Sequence, residues 1–190
     1  MQKTIQNLAK AFIGESQARN RYTMYSKIAK KEGYETIAAT FALTADQEAE
    51  HAKWLMRMIN GLKASNPEYD EIKVEAGAPT ILENTEKNLQ AAIDGEKYEN
   101  TTMYPEFADT ADEENLPAIA LRLRSISKAE ENHEATYQDL LNNLKAGSVF
   151  QKDNEVVWVC RKCGHIHSSK EAPEMCPSCG HPQAYFEVKK

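Results

Sequence analysis

The sequence contains no apolar run approaching the roughly 18–20 residues that a bilayer span needs, so no transmembrane helix is expected. It has no basic excess either: 23 Lys and Arg stand against 29 Asp and Glu, a net charge of −6. Nucleic acid would favour a basic face, and an anionic membrane surface would repel this balance. Residues 1–15 mix Lys, Gln and Asn among their apolar positions. They form no continuous apolar stretch of the secretory kind, which leaves a cytoplasmic location as the expectation. No glycine-rich nucleotide motif occurs. Cysteine is scarce and local, with all four cysteines falling between 160 and 179. Two C-x-x-C units in a chain without an export signal favour a metal site over disulfides.

What is present suits one ordinary domain plus a small one: 190 residues, 41% of them apolar and 27% charged. Residues 3–62 carry apolar spacings near 3 and 4 and are expected to form two helices. Glu32-Gly33 separates them, and Gly61 closes the second. Residues 63–79, with Pro67, Gly77 and Pro79, read as a crossover connection. Residues 80–145 read as two more helices parted at Asn115-Leu116-Pro117. Pro105 is expected to kink the third, and Gly147 to end the helical part. Short β-type runs, Val156 to Val159 and Tyr185 to Val188, mark a second domain too small to rely on its own core. The expected division is 1–147 and 148–190.

The chain repeats itself. Ala29–His51 aligns without gaps on Ala111–His133, pairing Glu32 with Glu114, Glu48 with Glu130 and His51 with His133. Two similar helical hairpins joined by a long crossover suggest a mainly α, ferritin-like four-helix bundle. Each copy ends in E-x-x-H, whose i, i+3 spacing puts both side chains on one helix face. The other two helices offer Glu15 and Glu96. Facing buried carboxylates repel and are costly unless paired, and a divalent metal pair removes that cost. A Glu from each of two helices with E-x-x-H from each of the others is the known ligand set of di-iron and di-manganese bundles. Glu99, i+3 from Glu96, adds a fifth carboxylate, so that five negative charges roughly balance two divalent ions. Oxygen-rich ligation with some imidazole suits iron or manganese. Tyr22 and Tyr104 lie on the metal-facing sides of their helices, placed either to hydrogen-bond ligand carboxylates or simply to fill the core. Tyr25 and Tyr98 are expected to pack or to lie at the surface.

Cys160-x-x-Cys163-Gly164 and Cys176-x-x-Cys179-Gly180 are matched knuckles that supply four thiolates. Zinc and iron both accept this tetrahedron. A redox-active neighbour favours iron, because zinc has no electrons to offer. Trp158, Tyr185 and Phe186 are placed to shield the centre; His165, His167 and His181 are assigned to the surface.

Over essentially its whole length the chain resembles the rubrerythrins. The resemblance rests on Gly14–Tyr22, Ala45–Ala52, Gly95–Glu99 running into Met103-Tyr104-Pro105, Ala129–His133 and the rubredoxin-like knuckles. It implies that Glu15, Glu48, His51, Glu96, Glu99, Glu130 and His133 bind two non-haem irons. One iron would shift between Glu99 and His51 as the redox state changes. Cys160, Cys163, Cys176 and Cys179 would bind a third iron. It further implies a peroxidase acting on hydrogen peroxide, fed by a rubredoxin or an NAD(P)H-dependent reductase, protecting against oxidative stress, and often a homodimer. Two alternatives stand beside it: a ferroxidase or iron-handling ferritin-like protein, and a non-enzymatic interaction protein with a zinc ribbon.

Overall fold

A computed structural model describes residues 2–64 and 70–189. Four long helical segments form a bundle: α1 (Gln2–Lys31), α2 (Glu35–Lys63), then α3 (Thr85–Tyr98) continued through a π turn (Glu99–Met103) into α4 (Tyr104–Glu113), and α5 (Pro117–Lys145). A three-stranded antiparallel sheet follows, with β1 (Gln151–Cys160) central between β2 (Ile166–Glu171) and β3 (Phe186–Val188). The sequence pattern does not foresee β2, whose polar Ile-His-Ser-Ser-Lys-Glu carries little strand signal. Among the described residues no helix is long and apolar enough to cross a membrane. The described part of the crossover, 70–84, holds no helix or strand, and Pro67 lies outside the described residues.

Local chemistry sets the helix ends. Gly33 at φ +86° closes α1, with Tyr34 N–H bonded back to the Ala29 carbonyl. Asn115 at φ +59° does the same after α4, with Leu116 N–H on Ala111. Gly and Asn are the residues that enter this left-handed region most easily. The Asn84 side chain accepts from Lys87 N–H and starts α3, and Pro117 opens α5. Gly61 does not end α2, which runs on to Lys63. A glycine terminates a helix when it turns left-handed, and Gly61 stays among the negative-φ residues.

The pseudo-repeat is visible in space. Glu114, at the end of α4, accepts from the Lys3 and Thr4 amides at the start of α1. Its counterpart Glu32, at the end of α1, accepts from the Thr85 amide at the start of α3. Each half thus caps the other with a carboxylate at a helix N-terminus, where the dipole favours negative charge. Two buried apolar clusters fill the bundle. One gathers Ile5, Leu8, Leu55, Ile59, Leu123 and Ile126; the other is richer in aromatics, with Tyr22, Tyr25, Phe41 and Tyr137.

The expected kink at Pro105 takes the form of the π turn just before it. Tyr104 N–H reaches the Glu99 carbonyl, five residues back. Pro105 has no N–H, so the Asn100 carbonyl finds no donor within the helix. Ser127 Oγ on α5 donates to it instead, at 2.9 Å.

Candidate metal centres

Four helices, α1, α2, α3 and α5, send acidic or imidazole side chains into the layer between the two apolar clusters. Glu15 comes from α1, Glu48 and His51 from α2, Glu96 from α3, and Glu130 and His133 from α5. The four glutamates of this set, Glu15, Glu48, Glu96 and Glu130, are wholly buried. They fall into two groups of four whose ligand atoms lie within 4.8 Å of one another: Glu15, Glu48, His51 and Glu130, and Glu48, Glu96, Glu130 and His133. Glu48 and Glu130 belong to both. His51 Nδ1 lies 2.8 Å from Glu48 and 3.0 Å from Glu130, with Glu15 at 3.8 Å. His133 Nδ1 lies 3.2 Å from Glu48 and 2.8 Å from Glu130, with Glu96 at 3.5 Å. Each imidazole therefore faces the same two shared carboxylates and one private one.

Tyr22 donates its hydroxyl to Glu96, and Tyr104 donates to Glu15, each crossing to the other half of the repeat. These bonds fix one oxygen of each private carboxylate. Apart from these imidazole–carboxylate contacts, the other oxygens of Glu15 and Glu96, both oxygens of Glu130, one of Glu48 and His133 Nδ1 are buried without a hydrogen-bond partner. So many orphaned acceptors converging on one layer fit a pair of cations. Proton affinities show the same strain. Burial pulls His51 and His133 down, but Glu130 and Glu48 more than reverse this and raise them to about 10 and about 12. Burial likewise pushes Glu48 up, yet the two imidazoles bring it to about 2. Burial lifts Glu96 to about 7, only partly offset by His133. Glu15 and Glu99 are pushed well above the usual carboxylate range, first by burial and then by neighbouring carboxylates. The layer gathers more negative charge than its imidazoles neutralise, and metal cations supply the rest.

Glu99 stands outside both groups of four. It is half-buried on the π turn, with Oε1 3.8 Å from where a Cβ on Gly14 would sit. Tyr25 is buried and donates to the Ile81 carbonyl, while Tyr98 is largely exposed. Sequence reasoning missed Gln47, whose Oε1 lies 3.1 Å from His133 Nε2. A bond there would leave Nδ1 free to face the carboxylates. Only the packing of α2 on α5 reveals it.

In the sheet domain the four cysteines are free thiols drawn into one cluster. Cys160 and Cys179 Sγ are 3.8 Å apart, and Cys163 and Cys176 are 3.7 Å apart. A tetrahedron with metal–sulfur bonds of about 2.3 Å has edges of about 3.8 Å, so the spacing fits a four-thiolate metal and is far too long for disulfides. The knuckles match each other. Gly164 N–H bonds to the Cys160 carbonyl and Gly180 N–H to Cys176, both at 2.8 Å, with both glycines at positive φ. Trp158 and Phe186 pack with the buried Cys160 and Cys176, whereas Cys163 is exposed. His165, His167 and His181 stay out of the cluster; His165 contacts Ser178, and His181 lies edge-on to Tyr185.

Comparison with known proteins agrees with both centres. A family model described as Rubrerythrin matches residues 6–141, and one described as Rubrerythrin, rubredoxin-like domain, matches 158–187. The chain belongs to the rubrerythrin family. A Methanocaldococcus jannaschii protein that carries the rubrerythrin name is 56% identical over 100% of this chain and 94% of its own length. The rubrerythrin of Porphyromonas gingivalis is 47% identical, covering 99% of this chain and 90% of its own. A solved structure of nigerythrin in a partially reduced state superposes with a TM-score of 0.63 at 30% identity, covering 98% and 86% of the two chains. The fold is accordingly ferritin-like plus rubredoxin-like. The cofactors are those of a rubrerythrin: a non-haem iron pair in the bundle and one iron on four cysteines.

Proposed function

We propose that the chain is a peroxidase that reduces hydrogen peroxide to water by two electrons. The observation that carries this reading is the presence, in one chain, of a carboxylate layer built for an iron pair and a four-thiolate centre built to pass electrons. Iron storage has no need of the second. In this reading residues 1–147 hold the iron pair, with Glu15, Glu48, His51, Glu96, Glu99, Glu130 and His133 as ligands. Residues 148–190 hold the electron carrier, with Cys160, Cys163, Cys176 and Cys179 as ligands.

The iron pair, when bound, supplies the electrons and the Lewis acidity for O–O cleavage. The protein does the rest. Tyr22 and Tyr104 hold Glu96 and Glu15 in place through their hydroxyls. Glu48 and Glu130, which belong to both groups of four, would help to hold both cations. Glu99, beside the layer yet in neither group, and His51, the more exposed imidazole, would be the alternative ligands of one iron. The two apolar clusters keep bulk water from the layer.

Electrons arrive from a rubredoxin or an NAD(P)H-dependent reductase, since the sequence holds no nucleotide-binding glycine motif. The protein works as a cytoplasmic homodimer that protects against oxidative stress. Within one chain the sheet domain meets the start of α2, where Phe150 stacks on Tyr34 and Glu187 meets Thr36. Glu48 lies about 18 Å further along that helix. This separation supports delivery from the four-thiolate centre of a second copy.

The test is anaerobic. Fully reduced iron-loaded protein is mixed with limiting hydrogen peroxide, and the visible bands of the four-thiolate iron are followed. Oxidation of two electron equivalents per peroxide, with turnover when reduced rubredoxin is added, is expected. Should the protein instead leave peroxide unreduced while oxidising and retaining added ferrous iron, the ferroxidase reading replaces this one. Glu99→Ala is expected to lower the peroxidase rate while the four-thiolate spectrum stays intact.

A further inference from the structure

A cleft of about 540 Å³ opens beside Glu99, and the peroxide reaction leaves most of it unexplained. Hydrogen peroxide is little larger than a water molecule, whose share of liquid volume is roughly 30 Å³. The cleft instead falls in the range of pockets that hold small organic molecules, roughly 300–1,000 Å³. Its walls are of mixed character. Met103, Phe107 and the exposed ring of Tyr98 offer apolar surface, while Glu99 and Arg21 place polar groups in the same wall. The segment 75–79, part of the crossover, closes one side as a strap. Beneath Ala78 and Pro79 the cleft meets a second one of about 480 Å³ that continues along α1 to Asn20.

Two glycines sharpen the case. Gly14 and Gly95 occupy helix interiors, where each costs about 0.5–1 kcal/mol relative to alanine. Both line this cleft. Neither is required by backbone conformation, since both keep negative φ. A Cβ on Gly95 would meet no atom within 4 Å, and one on Gly14 would merely touch Glu99. Alanine therefore fits at both positions, and what glycine adds is open volume, next to Glu99 at Gly14 and in the cleft wall at Gly95.

We propose that this cleft is a substrate pocket for alkyl hydroperoxides. The alkyl group lies against Met103, Phe107 and Tyr98, and the O–O end points to Glu99 and the carboxylate layer. The reaction is ROOH + 2 e⁻ + 2 H⁺ → ROH + H₂O. The O–O bond breaks, the substrate takes both electrons, and one oxygen leaves as water. The electrons come by the route proposed for hydrogen peroxide, so this inference rests on that reading.

The experiment uses the iron-loaded, reduced full chain with cumene hydroperoxide and hydrogen peroxide in parallel. A binding measurement accompanies it: ligand-observed NMR saturation transfer from the protein to cumyl alcohol, the unreactive product, which needs no turnover. Ala76→Trp and, separately, Ala78→Trp narrow the cleft from the exposed strap without touching the carboxylate layer. We expect cumene hydroperoxide to reoxidise the protein and cumyl alcohol to bind saturably. Each tryptophan should lower kcat/KM for cumene hydroperoxide by about tenfold or more, leave hydrogen peroxide turnover unchanged, and weaken cumyl alcohol binding in step. Normal hydrogen peroxide turnover with no cumyl alcohol binding or no cumene hydroperoxide reduction overturns the pocket alone. Unchanged cumene hydroperoxide kinetics in both variants, or equal loss for both peroxides, also overturns it. Failure with hydrogen peroxide itself would instead sink the reading on which this one depends.

Discussion

The two metal centres are built in opposite ways. The bundle centre draws its ligands from helices that span positions 15 to 133, and two large apolar clusters hold those helices with or without metal. The cysteine centre draws all four ligands from positions 160 to 179, and its core is one cluster around Trp158 and Phe186. In the first, the fold makes the site. In the second, the site makes much of the fold, because so short a segment buries too little apolar surface to stand alone.

The largest expected effect tests that contrast directly. Cys176→Ser should cost the small domain a binding contribution on the order of 10 kcal/mol. Amide NMR dispersion for 151–188 should collapse, while helical circular dichroism and the bundle's iron remain. Surviving dispersion would show that the two centres are built alike after all. Next comes the sharing of ligands. Glu48→Ala or Glu130→Ala should empty both bundle positions, whereas Glu15→Ala should leave one filled; iron per chain decides. Equal losses from all three would dissolve the distinction between shared and private carboxylates.

A smaller effect follows from the raised imidazoles. In the metal-free protein His51 and His133, at about 10 and about 12, both hold a proton at neutral pH. Each must release it to bind metal, so apparent affinity should rise with pH by about tenfold per unit for each proton displaced, about a hundredfold per unit for these two together. Chelator competition between pH 6 and 8 measures the slope, and a flat profile would refute the protonated layer. The smallest effect concerns the bundle's one irregular stretch. Ser127→Ala leaves the Asn100 carbonyl without its donor and should cost about 1 kcal/mol in denaturant unfolding, with the iron centre still assembled.

Much of this was legible in sequence because helix periodicity and ligand spacing are local facts. The i, i+3 spacing of E-x-x-H and the C-x-x-C-G knuckles need no knowledge of neighbours. Glu15 and Glu96 were readable once the repeat showed that two helices still owed a carboxylate. What escaped depends on partners far along the chain. Gln47 matters only because α5 brings His133 to it, and β2 forms because β1 offers it an edge. Gly61 misled because its φ, which decides whether a glycine stops a helix, is set by packing. Glu99 is the mixed case: its helix spacing pointed to the layer, while the structure sets it between the layer and an open cleft.

The π turn has a consequence for how the two halves differ. Thr4, Leu8, Gly14 and Glu15 match Thr85, Leu89, Gly95 and Glu96 at one offset, while Tyr22, Glu32, Glu48 and His51 match Tyr104, Glu114, Glu130 and His133 at an offset one residue longer. The surplus residue falls within the interval that holds the π turn. An unbroken α-helix would swing everything beyond it by about 100° and carry Tyr104 away from Glu15. The wider turn absorbs that rotation, so both tyrosines keep matching roles while the added length accommodates Glu99, where α1 has only Gln17 and Ala18. The asymmetry of the iron layer is thus written in the number of residues rather than in their kind. Removing Glu99 itself from this interval would bring the halves back into step, with two equal sides and no fifth carboxylate.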